Sequence, residues 1–155
     1  MDPKLVFIYG TAGQEIFLKN GSTTAVPIIR NASAQYMTFD ELSETLYWSG
    51  TPLNTTGDEQ TRIFQVRLKN GNVTASPTVF ATPFHDEDQG TGKLSGPVQI
   101  KWLEYDWLGD NIYFVDLHRG ICLCSRNSSC AILVNESAIG GVLKDTKIAL
   151  DPERG

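Results

Sequence analysis

The sequence predicts an all-β protein of many short strands: a sandwich, a barrel or a propeller. Three observations carry that prediction. Short runs of β-branched and aromatic residues recur at intervals of about ten residues, the spacing of sandwiches, barrels and propellers. The breaks between them are rich in turn formers, with 14 Gly and 7 Pro in 155 residues. No window holds a sustained apolar stripe of helical period with a cap and a stop; Glu41 to Glu44 has room for one turn at most.

The strands are read in order. Leu5 to Tyr9 is apolar and aromatic and stops at Gly10. Glu15 to Leu18 runs toward Asn20-Gly21, a strong turn pair. Val26 to Ile29 contains Pro27, which lacks an amide proton and confines the run to an edge or a strand start. Tyr36 to Phe39 and Thr45 to Trp48 follow, then Arg62 to Leu68, which stops before the turn pair Asn70-Gly71. Thr78 to Phe80 is brief. Val98 to Tyr105, Asn111 to Val115, Gly120 to Cys124 and Ala131 to Val134 continue the series, and Ile148 to Leu150 ends it.

An internal interval narrows the architecture. Phe39-Asp40 is followed, after a polar turn, by Leu46-Tyr47-Trp48-Ser49; Tyr105-Asp106 is followed by Ile112-Tyr113-Phe114-Val115-Asp116. Asp40 to Asp106 and Tyr47 to Tyr113 are both 66 residues apart. Repeats of about 40–45 residues with four strands each mark propeller blades. Two insertions account for the excess: 51–60, rich in Asn, Thr and Gly, and 83–96, which holds the acidic run His85-Asp-Glu-Asp88. Leu150-Asp151-Pro-Glu-Arg-Gly155 has the look of a third repeat start.

The pattern apolar-Asp, turn, Leu/Ile-Tyr-aromatic, strand, turn, strand resembles the YWTD repeat, also called the low-density lipoprotein receptor class B repeat. Asp106-Trp-Leu-Gly-Asp-Asn-Ile-Tyr-Phe-Val-Asp116 is the fullest match, and Ala149 to Gly155 is similar to a blade entry of that family. Ser49-Gly50 and Phe114-Val115 depart from the family's Thr-Asp and Trp-Thr. The resemblance implies part of a six-bladed propeller, about two blades and the first strand of a third. Residues 1–35 would hold opening strands, 36–97 the first full blade, 98–145 the second and 146–155 the start of another. It further implies that Asp40, Tyr47, Trp48, Asp106, Trp107, Tyr113, Phe114, Asp116 and Asp151 are structural: the aspartates as turn and backbone partners, the aromatics on the faces between blades.

Six of the eight Asn open an Asn-X-Ser/Thr triplet: Asn20, Asn31, Asn54, Asn72, Asn127 and Asn135. With 24 Ser and Thr in 155 residues, random placement gives 8 × 24/155, about 1.2. The excess points to the secretory pathway, where such triplets accept glycans. Three cysteines, Cys122, Cys124 and Cys130, are too few for a four-cysteine metal site. In an oxidising compartment Cys130 pairs with Cys124 or with Cys122 across a hairpin, leaving one thiol buried and free or paired outside the segment. Met1-Asp-Pro-Lys4 is followed by only five apolar residues, short of a signal-peptide core, so the chain is expected to be an internal piece of a longer protein.

Composition excludes further classes. A net charge of −5 argues against nucleic-acid binding. No apolar run approaches the ~18 residues of a membrane helix. Gly90-Thr-Gly-Lys-Leu-Ser-Gly96 has the wrong spacing for a phosphate loop and leads through Pro97 into a strand. His85-Asp-Glu-Asp88 offers oxygens of the kind that bind Ca²⁺, but a solvated acidic loop explains it. His118 lies four residues before Cys122, a spacing that on a strand does not make a nucleophile and base pair.

The expectation is therefore a non-enzymatic segment with no catalytic, cofactor or metal site. The resemblance implies the ectodomain of a single-pass receptor of the endocytic lipoprotein-receptor kind. Sevenless-type receptor tyrosine kinase ectodomains and nidogen-like matrix proteins are the alternatives within the binding class; a secreted propeller enzyme is the rival outside it. Its partners would be protein ligands, neighbouring extracellular modules or remaining blades. Its place would be outside the cell, with any membrane span elsewhere in the protein.

Overall fold

The computed structural model describes residues 5–9, 15–20, 24–51, 60–84, 97–126, 130–140, 143 and 145–151. The chain is all-β over these residues, in three antiparallel sheets that follow one another along the sequence. The first joins β1 (Leu5–Tyr9), β2 (Glu15–Asn20) and β3 (Val26–Arg30). The second runs from β4 (Tyr36–Asp40) through β5 (Thr45–Gly50) to β6 (Arg62–Lys69). Two short strands share its far side: β7 (Asn72–Val73) pairs with the end of β6, and β8 (Thr78–Ala81) with its start. The third joins β9 (Ile100–Asp106), β10 (Asn111–Asp116), β11 (Gly120–Ser125) and β12 (Cys130–Asn135).

The strands form where the apolar runs lie, and local chemistry sets their ends. Pro27 sits on β3, an edge strand, opposite Phe17. Asn70 and Gly71 close the β6–β7 hairpin with φ of 51° and 78°, the signs a two-residue type I′ turn requires. β9 begins at Ile100 rather than Val98 because Gln99 is engaged elsewhere. Its amide donates to the Asp116 carboxylate at 3.2 Å, and its carbonyl accepts from Leu117 N at 3.1 Å.

Two expectations are corrected. Ile148 to Leu150 is not a strand: it pairs with no ladder, and the Ile148 carbonyl instead accepts a 2.8 Å hydrogen bond from the Trp102 indole. A single helical turn, α1 (Glu136–Ile139), follows β12 where none was expected. Asn135 caps it by accepting from Ser137 N, and Gly140 ends it at φ 78°. The segments 52–59 and 85–96, which hold most of both expected insertions, lie outside the described residues.

The middle sheet is covered on both faces, and strand alternation divides its side chains between two cores. Leu46, Trp48, Val66 and Leu68 pack with Ile16, Ile29, Ala32 and Ala34 from the side of the first sheet. Tyr47, Ile63, Phe80 and Ala81 pack with Ile100, Leu103, Ile112, Phe114, Cys122 and Cys124 of the third. All six residues of β5 are buried for this reason. On the opposite face of the third sheet Glu104, Tyr113 and Leu123, in register, are half-buried, whereas Val115 on the same face is fully buried. Burial there raises the Glu104 carboxyl above its ordinary range.

Gly120 is the position where this packing is least forgiving. It opens β11 at φ 109°, and a Cβ there would lie 2.0 Å from the Val134 carbonyl oxygen. Gly120→Ala is expected to destabilise the chain by about 3 kcal/mol or more, combining left-handed strain with backbone overlap, as read from a urea unfolding curve.

Candidate functional site

The local unit from which the site is built is an aspartate at the end of a strand. In Asp40-Glu-Leu-Ser-Glu44 the carboxylate accepts from Leu42 N at 3.1 Å and Ser43 N at 3.3 Å. In Asp106-Trp-Leu-Gly-Asp110 it accepts from Leu108 N at 3.0 Å and Gly109 N at 3.2 Å. In Asp116-Leu-His-Arg-Gly120 it accepts from His118 N at 2.7 Å and Arg119 N at 3.1 Å. The residue four positions after each aspartate is left-handed: Glu44 at 52°, Asp110 at 51° and Gly120 at 109°. A short acceptor side chain folds the backbone back on itself, so each strand re-enters antiparallel. Asp116 is fully buried and also pairs with buried Arg119 at 3.3 Å, whose guanidinium lies 5.0 Å from the Phe84 ring centre.

The aromatic positions repeat in the same way. Trp48 faces the first sheet, stacks on Phe64 and donates to the Ala32 carbonyl at 3.2 Å; Phe114, its counterpart, faces the second sheet. Tyr47 points the other way, toward the third sheet. It stacks on Tyr105 with ring centres 4.3 Å apart and meets Phe80 edge-on at 5.5 Å. Tyr113, its counterpart, is half-buried on the open face, and Trp107 is exposed at the tip of its turn. Asp151 is exposed.

These units bring together a groove of about 610 Å³ at the seam between the second and third sheets. Arg126, the residue after β11, closes one side. Its guanidinium donates to both carboxylate oxygens of Asp110, at 2.6 and 2.8 Å, to the Gln65 amide oxygen at 2.6 Å and to the Tyr47 hydroxyl at 3.4 Å. It also lies 5.0 Å from the Phe80 ring centre. Tyr105 donates to Asp110 at 2.9 Å. Trp107 and Arg67 line the rest of the opening with Thr45, Ser76 and Thr78.

Electrostatics follow from the pairing. The Arg126 hydrogen bonds hold the Asp110 carboxyl below its ordinary value against an opposing effect of burial, and the same contact raises Arg126. Burial first, then hydrogen bonds with Tyr47 and Asp110, push the Tyr105 phenol well above its ordinary value. The groove thus presents a spent ion pair, neutral hydroxyls, an amide, one further guanidinium and an exposed indole. That set can bind and orient a ligand through hydrogen bonds and ring contact.

The remaining candidates are distributed elsewhere. Cys124 and Cys130 are opposite each other in the β11–β12 ladder, 4.2 Å apart at Cα, and form a disulfide; the hairpin selects Cys124 over Cys122 because Cys122 faces Ile132. Cys122 is the buried free thiol, and burial pushes it up to about 12, so it stays protonated at neutral pH. His118 is exposed in its turn. Asn31, Asn72 and Asn135 are exposed; Asn20 ends β2; Asn54, Asn127 and His85 lie outside the described residues. Among the described residues no three His, Cys, Asp or Glu side chains converge as a metal site. No described helix is long and apolar enough to cross a membrane.

Arg126, Asp110, Tyr105 and Gln65 are the groove residues that reading the sequence missed. The 66-residue interval marks Tyr105 and Asp110 as counterparts of Phe39 and Glu44. Nothing in the sequence signals Arg126, a charged residue in a polar turn. No family model matches the chain, and no curated protein does.

Two outcomes are expected. Asp110→Asn should lower the Tyr105 phenol toward its ordinary value near 10, because the carboxylate is one of the groups raising it; absorbance titration near 295 nm reads this. The Asp110 contribution should be present above its unfolded value near 3.9 and be lost as pH falls through its depressed folded value. Arg126→Met should therefore cost about 1 kcal/mol at pH 7 and less near pH 2, by urea melts at both.

Proposed function

We propose that this chain is a propeller segment of an extracellular protein, and that it works by binding a protein ligand or positioning neighbouring modules rather than by catalysis. One observation carries the reading. The 66-residue interval recurs as the same physical roles in consecutive sheets: Asp40 and Asp106 fold the turn, Glu44 and Asp110 take the left-handed position, and Trp48 and Phe114 face back toward the preceding sheet. Tyr47 reaches forward into the next sheet, and Tyr113 stands on the matching face with no described sheet against it. A sheet that repeats the backward contact and carries the matching aromatic on its forward face has the form of one unit of an array, and such units need stacked neighbours to bury their faces.

The extracellular part of the reading rests on the six glycan-acceptor triplets and is compatible with the Cys124–Cys130 disulfide. The binding part rests on the seam groove, whose described lining offers an indole, a guanidinium, an amide and hydroxyls for recognition. The resemblance to YWTD repeats favours a single-pass receptor, with endocytic lipoprotein-receptor relatives ahead of Sevenless-type kinases and matrix proteins.

The coding sequence on either side of this segment tests the reading. It should encode further sheets with the aspartate turn and the Tyr-aromatic pair, and a secreted product that loses mass on amide-glycan removal. Flanks without such repeats, or a secreted product with no mass loss, would contradict it.

A further inference from the structure

The triplet Asn31-Ala32-Ser33 lies in the connection from β3 to β4, where the chain passes from the first sheet to the second. This connection is pinned rather than loose. Ala32 and Ala34 are buried in the core between those sheets, and the Ala32 carbonyl accepts the Trp48 indole N–H. Asn31 and Ser33 both take left-handed backbone, at φ 56° and 44°. The Ser33 hydroxyl lies 3.2 Å from that of Thr51. Gly50 permits the approach, since a Cβ there would lie 2.7 Å from the Ser33 carbonyl oxygen. The direction in which Asn31 leaves the surface is therefore fixed by the fold.

Asn31 itself lines a small groove of about 150 Å³, with Phe64, Pro77, Trp48 and Thr51 among its walls. Phe64 is stacked on Trp48 at 5.6 Å and 22°, so its ring is held in place. The groove is smaller than the roughly 300–1,000 Å³ of sites that bind free small molecules. An occupant already tethered at its mouth has little translational freedom left to lose. A pyranose presents an apolar C–H face that packs on an aromatic ring while its hydroxyls stay in water.

We infer that this groove seats the first N-acetylglucosamine of a glycan carried by Asn31. The sugar's apolar face lies toward Phe64 and Pro77, covering the seam between the first and second sheets from outside. The inference rests on the secretory reading above.

The test uses the protein secreted with its native flanks from a eukaryotic host, with glycans trimmed to the single core sugar and the N-acetyl methyl labelled for NMR. Glycopeptide mass spectrometry reads occupancy at each triplet. One methyl resonance, lost in Asn31→Asp, is expected upfield of the others through the Phe64 ring current, with a cross-relaxation contact to that ring in the unmutated chain. In Phe64→Leu it should return to the position of the others. An occupied Asn31 with an unshifted methyl overturns the seat alone, as does an unmodified Asn31 beside any other occupied triplet. No occupancy at any triplet overturns the secretory reading and the seat together.

Discussion

The structure depends on the double burial of its middle sheet. A strand presents alternate side chains to opposite faces, so a sheet with large apolar groups on both faces must be covered twice. β5 states this most directly. Leu46 and Trp48 belong to the core shared with the first sheet, Tyr47 to the core shared with the third, and nothing on the strand faces water. Removing either neighbour would leave an apolar face of a kind soluble proteins rarely expose. The two cores therefore tie the three sheets into one unit, although each sheet pairs strands only within itself.

That constraint places demands on the turns. Consecutive strands must re-enter at a fixed register, because a slip of one residue would exchange the two faces. The aspartate turns meet the demand with side-chain chemistry. A carboxylate accepting two backbone amides fixes where the chain reverses, and a left-handed residue four positions on restores the strand direction. The same turns bring Asp110 and Trp107 to the seam, so the devices that set register also build the wall of the groove. Arg126 then links across the seam to Tyr47 and Gln65 of the middle sheet, by hydrogen bonds that no ladder provides.

The third sheet carries the same arrangement one step further along the chain. Phe114 packs in the core shared with the middle sheet, whereas Tyr113 and Leu123 are half-buried on the other face, where Trp102 meets Lys147 and Ile148. The Trp102 indole is held there by the Ile148 carbonyl, with the Lys147 ammonium 5.4 Å from the ring centre. No described sheet packs on this face, and the edge strand β12 is fastened to β11 by the Cys124–Cys130 disulfide.

Much of the fold was legible because strand formation is local. Apolar runs, Asn70-Gly71 and Pro27 fix elements through backbone geometry that each segment carries with it, and the 66-residue interval exposed the aspartate and aromatic positions. Ile148 to Leu150 has the composition of a strand and forms none for the complementary reason: a strand exists only where a partner edge accepts it. The helical turn after Asn135 escaped because one turn has no period to detect, only its two caps. The sequence by itself determined the all-β class, most of the strand positions, the turn aspartates Asp40, Asp106 and Asp116, and the excess of glycan-acceptor triplets. Only the tertiary structure decided which cysteine pairs with Cys130, which face of each strand meets which sheet, and that Arg126 closes a groove with Tyr47, 79 residues away. The first set depends on residues near in sequence; the second depends on packing, which joins residues whose separation the chain does not encode locally.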